Sequence, residues 1–212
     1  MTPRSAGGSA VGPAAGGSAV GPAAVEELAA RRDLYRLASR LLAREIDAPL
    51  YDRLLAVGML DGDASVDELA AEFCRLFVGP RPVCLPYASA RGSTATLRAG
   101  PERRFVEFLA AHGLETVVDA DLTLLGQDHL AVELAVLAHL YDRAAAAPGS
   151  AAAELAQVQV TEHLLPWAAE FAEELAAEAR LAPYTTVAHP LAALLREEPA
   201  LAPTSAFHDH RL

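Results

Sequence analysis

The sequence predicts an all-α protein, a single helical domain of about 8–9 helices in two halves joined by a loop containing proline and glycine. Three observations carry this expectation. Ala and Leu, the strongest helix formers, supply 79 of the 212 residues, whereas Val, Ile and Thr supply only 25. Apolar residues recur at three- and four-residue spacing in one segment after another. Helix start and stop signals (a capping box, prolines at first positions, glycines at ends) stand between those segments. A chain of this length can bury roughly 70% of its unfolded surface, enough for one domain with a sizeable core.

Residues 1–24 are expected to lie outside that domain. They hold 6 of the 14 glycines and one charge, Arg4, and AGGSAVGPA at Ala6–Ala14 recurs at Ala15–Ala23. Such a stretch has little to bury and much entropy to lose, so a disordered Gly/Ala/Ser/Pro tail is expected. It lacks the charged start and apolar centre of a secretory signal. The helical domain is expected over 25–200, with a frayed C-terminus over 201–212.

From Val25 the elements follow in order. Leu28, Tyr35, Ala38 and Leu42 keep helical spacing, with Arg31, Arg32, Arg36, Arg40 and Arg44 interleaved. The pair Arg31-Arg32 does not open an export signal, because Asp33, Arg36 and Arg40 interrupt any apolar run behind it. A short helix is expected from Pro49 to Gly58. Ser65 and Glu68 form a capping box, in which hydroxyl and carboxylate each satisfy an amide of the first turn. The helix it opens sets Leu69, Phe73, Leu76 and Phe77 on one face.

Between Val78 and Gly100 the prolines at 80, 82 and 86 and the glycines at 79, 92 and 100 rule out a continuous helix. Loops this long are functional or disordered. Val83, Leu85 and Tyr87 argue for an anchored, functional one. Pro101 suits the start of a helix and Gly113 its end, with Phe105, Phe108, Leu109 and His112 on the buried face. Asp128 is expected to cap a long helix running to about Ala147, with Leu130, Leu134, Leu137 and Tyr141 in one stripe. Pro148-Gly149 ends it, and Ser150 caps another helix through Leu165. A helix from Pro166 turns Trp167, Phe171, Leu175 and Ala179 inward and Glu170, Glu173, Glu174 and Glu178 outward. A last short helix is expected at Leu191–Glu197.

Composition excludes several chemistries. All 17 basic residues are arginine, and both lysine and asparagine are absent. There is thus no P-loop lysine, Schiff-base lysine or lysine general base. The net charge of −11 argues against a nucleic-acid backbone as partner. From Val25 onward 16 basic residues face 28 acidic ones, which suits a basic partner. Cys74 and Cys84 form no CxxC pair and read as reduced thiols of a cytoplasmic protein. No apolar run reaches the ~18 residues of a membrane span.

No nucleophile elbow, Walker motif or dinucleotide fingerprint follows a strand-like run, so an enzyme is not expected. Asp128, His129 and Glu133 form an Asp-His-x-x-x-Glu cluster flanking the apolar stripe. It matches neither Glu-x-x-His on paired helices nor HExxH, so no metal site is expected, and no cofactor. By spacing alone it reads either as a cap with an i,i+4 pair or as a binding site. Trp167, beside Pro166 and near Glu162-His163, reads as a core anchor or as the lining of a groove. His208-Asp209-His210 reads as part of the frayed tail.

Three stretches together resemble a known family. They are Glu72-Phe73-Cys74-Arg75-Leu76-Phe77-Val78-Gly79-Pro80 continuing to Pro86-Tyr87-Ala88-Ser89, then Asp128-His129-Leu130-Ala131-Val132-Glu133-Leu134, then His163-Leu164-Leu165-Pro166-Trp167 with Phe171. In order and spacing they are similar to the TorD/DmsD/NarJ family, the redox-enzyme maturation chaperones, over residues 25–200. The resemblance implies an all-helical, non-catalytic cytoplasmic protein that binds the twin-arginine signal peptide or N-terminal segment of a molybdenum-cofactor reductase or dehydrogenase. It would hold that enzyme until the cofactor is inserted and the subunit assembled for export. The chain departs from the family pattern at Gln127, where Pro is frequent, and at Ala88, where a glutamate is frequent.

The signal-peptide site expected on this basis comprises Leu76, Phe77, Gly79, Pro80, Pro86, Tyr87, Asp128, His129, Glu133 and Trp167. Leu76, Phe77, Tyr87 and Trp167 would take the apolar part of the peptide as a helix in a groove, and partly exposed Asp128 and Glu133 would meet its arginines. A helical small-molecule-binding or regulatory domain, with Asp128 and His129 lining its pocket, is the other reading. The chain is expected as a monomer or homodimer, the long loop permitting domain exchange.

Overall fold

In the computed structural model residues 22–91, 95–114, 126–147 and 150–197 are described, of which 22–24 and 95–99 in backbone only. Of the tail expected over 1–24, residues 1–21 lie outside the described residues and residues 22–24 are helical; the C-terminal segment with His208-Asp209-His210 also lies outside them, as do Pro148 and Gly149. Eight α-helices stand among the described residues: α1 (Pro22–Ala43), α2 (Ala48–Ala56), α3 (Val66–Phe73), α4 (Ala95–His112), α5 (Leu130–Ala146), α6 (Ala151–Gln159), α7 (Ala168–Glu178) and α8 (Tyr184–Glu197). The chain is all-α, as its composition predicts.

The core is built around α5. Its stripe of Leu130, Leu134, Leu137 and Tyr141 is buried, and so are Val132, Val136 and Leu140 on its other faces. A helix apolar all round belongs in the middle of a bundle, and α1 and α6 flank it. Helix α1 turns Tyr35, Ala38, Leu41 and Leu42 inward and sends the Ser39 hydroxyl to the Ala131 carbonyl at 2.7 Å. Its outer arginines bind the far end of α5, where Asp142 accepts from Arg32 at 3.1 Å and Arg36 at 2.9 Å. Helix α8 packs on both α1 and α7.

Local signals hold where the first turn of a helix decides them. Asp47 accepts the Leu50 amide at the start of α2, and Ser65 with Glu68 completes the capping box of α3. Gly113 ends α4 at φ +62°, a left-handed conformation natural to glycine.

Several expectations are corrected. Helix α4 begins at Ala95, with Pro101 inside it. Proline disfavours helical backbone in the residue before it partly through that residue's Cβ, and Gly100 has none. His112 is exposed rather than on the buried face, which is completed instead by Leu114 beyond the helix end. Helix α8 starts at Tyr184, seven residues before the expected Leu191, and carries Pro190 inside; buried Tyr184, Val187 and Ala188 hold the turns ahead of the proline. Ser150 has the backbone of a cap but makes no side-chain cap bond. Pro166 is exposed, and α7 starts after Trp167.

Two interruptions of regular helix are π-helical turns, Cys74–Val78 after α3 and Val160–Leu164 after α6. Each holds one extra residue per turn and closes with an amide bonded five residues back, Gly79 to Cys74 at 2.6 Å and Leu165 to Val160 at 2.8 Å. The first is locked to the other end of the chain. Buried Glu72 accepts two bonds from Arg75 at 2.8 Å each and the Arg180 amide at 2.7 Å, while Arg75 also reaches the Glu178 carbonyl at 2.7 Å. Burial alone would raise the Glu72 carboxyl, but Arg75 and the Arg180 amide outweigh it and hold the group below its usual range. Among the described residues no helix is long and apolar enough to cross a membrane.

Candidate functional site: the loop clasped on α5

The π turn after α3 determines where the following loop goes. Leu76 and Phe77 are buried in it, Phe77 edge-on to Phe73 and to Tyr184. Its carbonyls at Arg75 and Leu76 accept the amides of Val83 at 3.2 Å and Cys84 at 2.8 Å, so the loop folds back on the turn that launched it. Gly79 is required at this bend, because a Cβ there would stand 2.8 Å from the Cys74 carbonyl oxygen. Pro80 is exposed; Cys84 and Pro86 are the buried anchors, while Leu85 points outward at 42% exposure, against expectation, beside Val78 at 64%. A loop strand of alternating side chains must turn one of two neighbours out, and Cys84 is the one that goes in.

The loop then meets the start of α5. Tyr87 and His129 form an antiparallel bridge, in which the Leu130 amide donates to the Pro86 carbonyl at 2.8 Å and the Ala88 amide to the Asp128 carbonyl at 3.0 Å. The Tyr87 ring lies edge-on to the His129 ring, centroids 4.7 Å apart. Gly126 makes room for this crossing, since a Cβ there would come to 3.1 Å from Asp128 Oδ1 and 3.5 Å from the Tyr87 ring.

The expected cap of α5 is displaced by one residue. His129 is the cap, its Nδ1 accepting the Ala131 amide at 3.0 Å. Asp128 instead accepts the Ser89 amide at 2.8 Å and so caps the short 3-10 turn Ala88–Arg91 in the loop. The carboxylate has turned away from its own helix to hold the loop down. Burial depresses the His129 pKa to about 4, with Asp128 opposing, so the ring is neutral and donates only through Nε2.

Asp128, His129 and Glu133 are all buried, which corrects the expectation of partly exposed acids. Asp128 can be buried because a backbone amide meets it. Glu133 has no such partner: its Oε2 has no hydrogen bond among the described residues, and burial, then the neighbouring Asp128, push its carboxyl well above the usual range. Both effects favour its neutral form over the carboxylate. Gln159 of α6, itself fully buried, donates to the Glu133 carbonyl at 2.5 Å, and its own Oε1 also has no partner.

Trp167 sits apart from this junction, at the start of α7. It is buried against Phe171, centroids 6.1 Å apart, with its indole N–H unpartnered among the described residues. The loop reaches this region through Arg91, which bonds Glu174 at 2.5 Å and lies over the Phe171 ring, 5.6 Å from its centroid. Thus the structure brings Pro86, Tyr87, Asp128, His129 and Glu133 together, seats Leu76 and Phe77 beneath the loop, and links Trp167 only through Arg91. Sequence reasoning missed Gly126, Gln159 and the pairing of Arg91 with Glu174. A glycine two residues before Asp128 was the one local signal; the others join distant parts of the chain. Among the described residues no group of His, Cys, Asp or Glu is placed to hold a metal ion.

The family model of the nitrate reductase delta subunit matches residues 37–173, which include the π turns, the loop and all of α5. The chain belongs to that family, the TorD/NarJ family. Chaperone protein TorD of Vibrio cholerae serotype O1, strain M66-2, is 41% identical over 111 residues, 50% of this chain and 49% of that protein. TorD of the El Tor Inaba strain is 40% identical over the same length. This TorD/NarJ chain spans about half the length of the curated relatives it matches.

Proposed function

We propose that this protein is a non-catalytic cytoplasmic chaperone that binds the twin-arginine signal peptide or N-terminal segment of a molybdenum-cofactor oxidoreductase, holding that enzyme through cofactor insertion and assembly before export. The single observation that carries the reading is Glu133, a buried carboxyl with an unmet oxygen next to Asp128, whose one side-chain bond among the described residues goes to the loop above it. Lifting the 79–91 loop takes the Ser89 amide from Asp128 and leaves two carboxyl groups wanting donors. A guanidinium meets that need better than any other side chain, through two parallel charge-assisted bonds. Meeting one would cost Glu133 its proton and replace an unpaired buried acid by a paired carboxylate.

The apolar stretch behind the arginines would enter beneath the lifted loop, against Leu76, Phe77 and Trp167 on the helices and Tyr87 on the loop itself, with Gly79, Pro80 and Pro86 shaping the bend and His129 holding the helix end. The molybdenum cofactor belongs to the client in this reading. Nothing in the thiols favours catalysis: burial raises Cys74, helped by Glu45, and pushes Cys84 up to about 12, so neither is a ready nucleophile.

Calorimetry with a synthetic peptide of two adjacent arginines followed by an apolar, helix-prone stretch tests the reading. Glu133→Gln keeps size and neutrality, so it should fold as the wild type yet bind about tenfold more weakly. Asp128→Ala should weaken binding similarly, as should exchanging the peptide's arginines for lysines. Wild-type affinity in both protein variants would overturn the assignment.

A further inference from the structure

Arg91 makes a contact that neither the loop's own folding nor the junction with α5 requires. Its guanidinium is bonded to Glu174 and lies over the ring of buried Phe171, its central carbon 5.6 Å from the centroid. A carboxylate beside an aromatic face is a complete seat for a guanidinium. The seat stands on α7, whose outward face adds Glu170, Glu173 and Glu178. In a chain of net charge −11 this face attracts cationic segments, and the nearest one is the protein's own.

The position of Arg91 couples that seat to the site described above. Ser89, held by Asp128, and Arg91, held by Glu174, belong to one 3-10 turn of four residues. The turn is therefore bolted at two points, to α5 and to α7, and neither bolt opens without loading the other. Cys84, buried within the same loop, is acted on electrostatically by Glu174 and Glu178 of α7 and, in the opposite sense, by Arg91 and Arg75.

We propose that Arg91 is a built-in competitor, occupying in cis a Glu174–Phe171 guanidinium seat that an arginine of the client peptide takes when the loop lifts. This rests on the proposed function and adds to it a second arginine contact, distinct from Asp128 and Glu133, together with a restraint on affinity. A ligand that must displace an internal occupant binds more weakly by the fraction of molecules in which the seat is vacant. The half-exposed ion pair and the ring contact together are strong enough to keep most molecules closed, on the order of nine in ten.

The experiment is a titration of the twin-arginine peptide, read by calorimetry and by the emission of Trp167, the single tryptophan of the chain, which touches Phe171. Arg91→Ala should bind about tenfold more tightly than wild type, and Arg91→Gln should do the same should the alanine variant fold poorly. Arg91→Lys, which keeps the charge but loses the flat fork, should fall between them. Adding Glu174→Gln to Arg91→Ala should abolish the gain. Equal or weaker binding by Arg91→Ala and Arg91→Gln, or a gain that survives Glu174→Gln, overturns the competitor while leaving the Asp128/Glu133 site standing. A peptide that binds neither wild type nor any variant overturns the proposed function and the competitor with it.

Discussion

His129→Asn isolates the electrostatic strain stored where the loop meets α5. Asparagine caps helices as well as any residue, and its side-chain oxygen can replace Nδ1 in accepting the Ala131 amide, so the helix start survives. What the substitution removes is a titrating group. The ordinary histidine value of 6.5 drops to about 4 here, through burial opposed by Asp128, so the folded protein binds fewer protons than the unfolded chain throughout that interval. Stability is then full above 6.5 and declines as the pH falls towards 4, below which it levels. At 1.36 kcal/mol per tenfold change in proton affinity, this group withdraws about 2 kcal/mol between pH 7 and pH 5, and about 3 kcal/mol by pH 4. The carboxylates held low in the folded state, Asp47, Glu68, Glu72 and Asp142, lose their contributions as the pH falls through the acid range in both proteins alike. Loss of the Tyr87 ring contact lowers the variant's stability by about 1 kcal/mol at every pH. Urea unfolding followed by Trp167 emission at pH 7, 6 and 5 should show the variant's deficit at pH 7 turning into an advantage at pH 5. Wild type and variant losing stability in parallel would refute the placement of a neutral, buried His129.

Other substitutions probe the elements that position the site. Glu72→Ala leaves the Arg180 amide without its acceptor and Arg75 with only the Glu178 carbonyl among the described residues, and should cost about 3 kcal/mol, seen as a lower urea midpoint. Gly79→Ala drives a methyl against the Cys74 carbonyl and should cost about 1–3 kcal/mol, with protease cleavage appearing first in the 79–87 loop. Glu133→Gln should reverse a pH trend. The wild-type carboxyl keeps its proton when folded and sheds it when unfolded, so stability falls as the pH rises above 4.5 towards the raised folded value; in the variant that decline should be absent from urea midpoints measured at pH 5 to 8.

The helical class and most helix positions were legible in the sequence, because those depend on neighbours three and four residues apart. Ser65 and Glu68 cap each other wherever α3 ends up, and the stripe of Leu130, Leu134, Leu137 and Tyr141 needs a core on its side whichever helix supplies it. The Leu-Phe-Val-Gly-Pro and Asp-His-Leu segments were legible for the same reason, as short strings with fixed spacing, and they pointed to the family. Which partners those residues take depends on contacts between distant segments. Asp128 could cap α5 or the loop, and the Ser89 amide, 39 residues away, took it. Pro101 and Pro190 mark helix starts by local rules, yet both lie inside helices, where Gly100 eases the crowding in one and buried Tyr184 and Val187 hold the other. Glu133 is expected partly exposed beside the apolar stripe, yet the fold buries it, raises its carboxyl well above the usual range and leaves its Oε2 without a partner among the described residues. Arg91 and Glu174, 83 residues apart, carry no sign of each other in the chain, since an ion pair between distant segments exists only once the fold has brought them within reach.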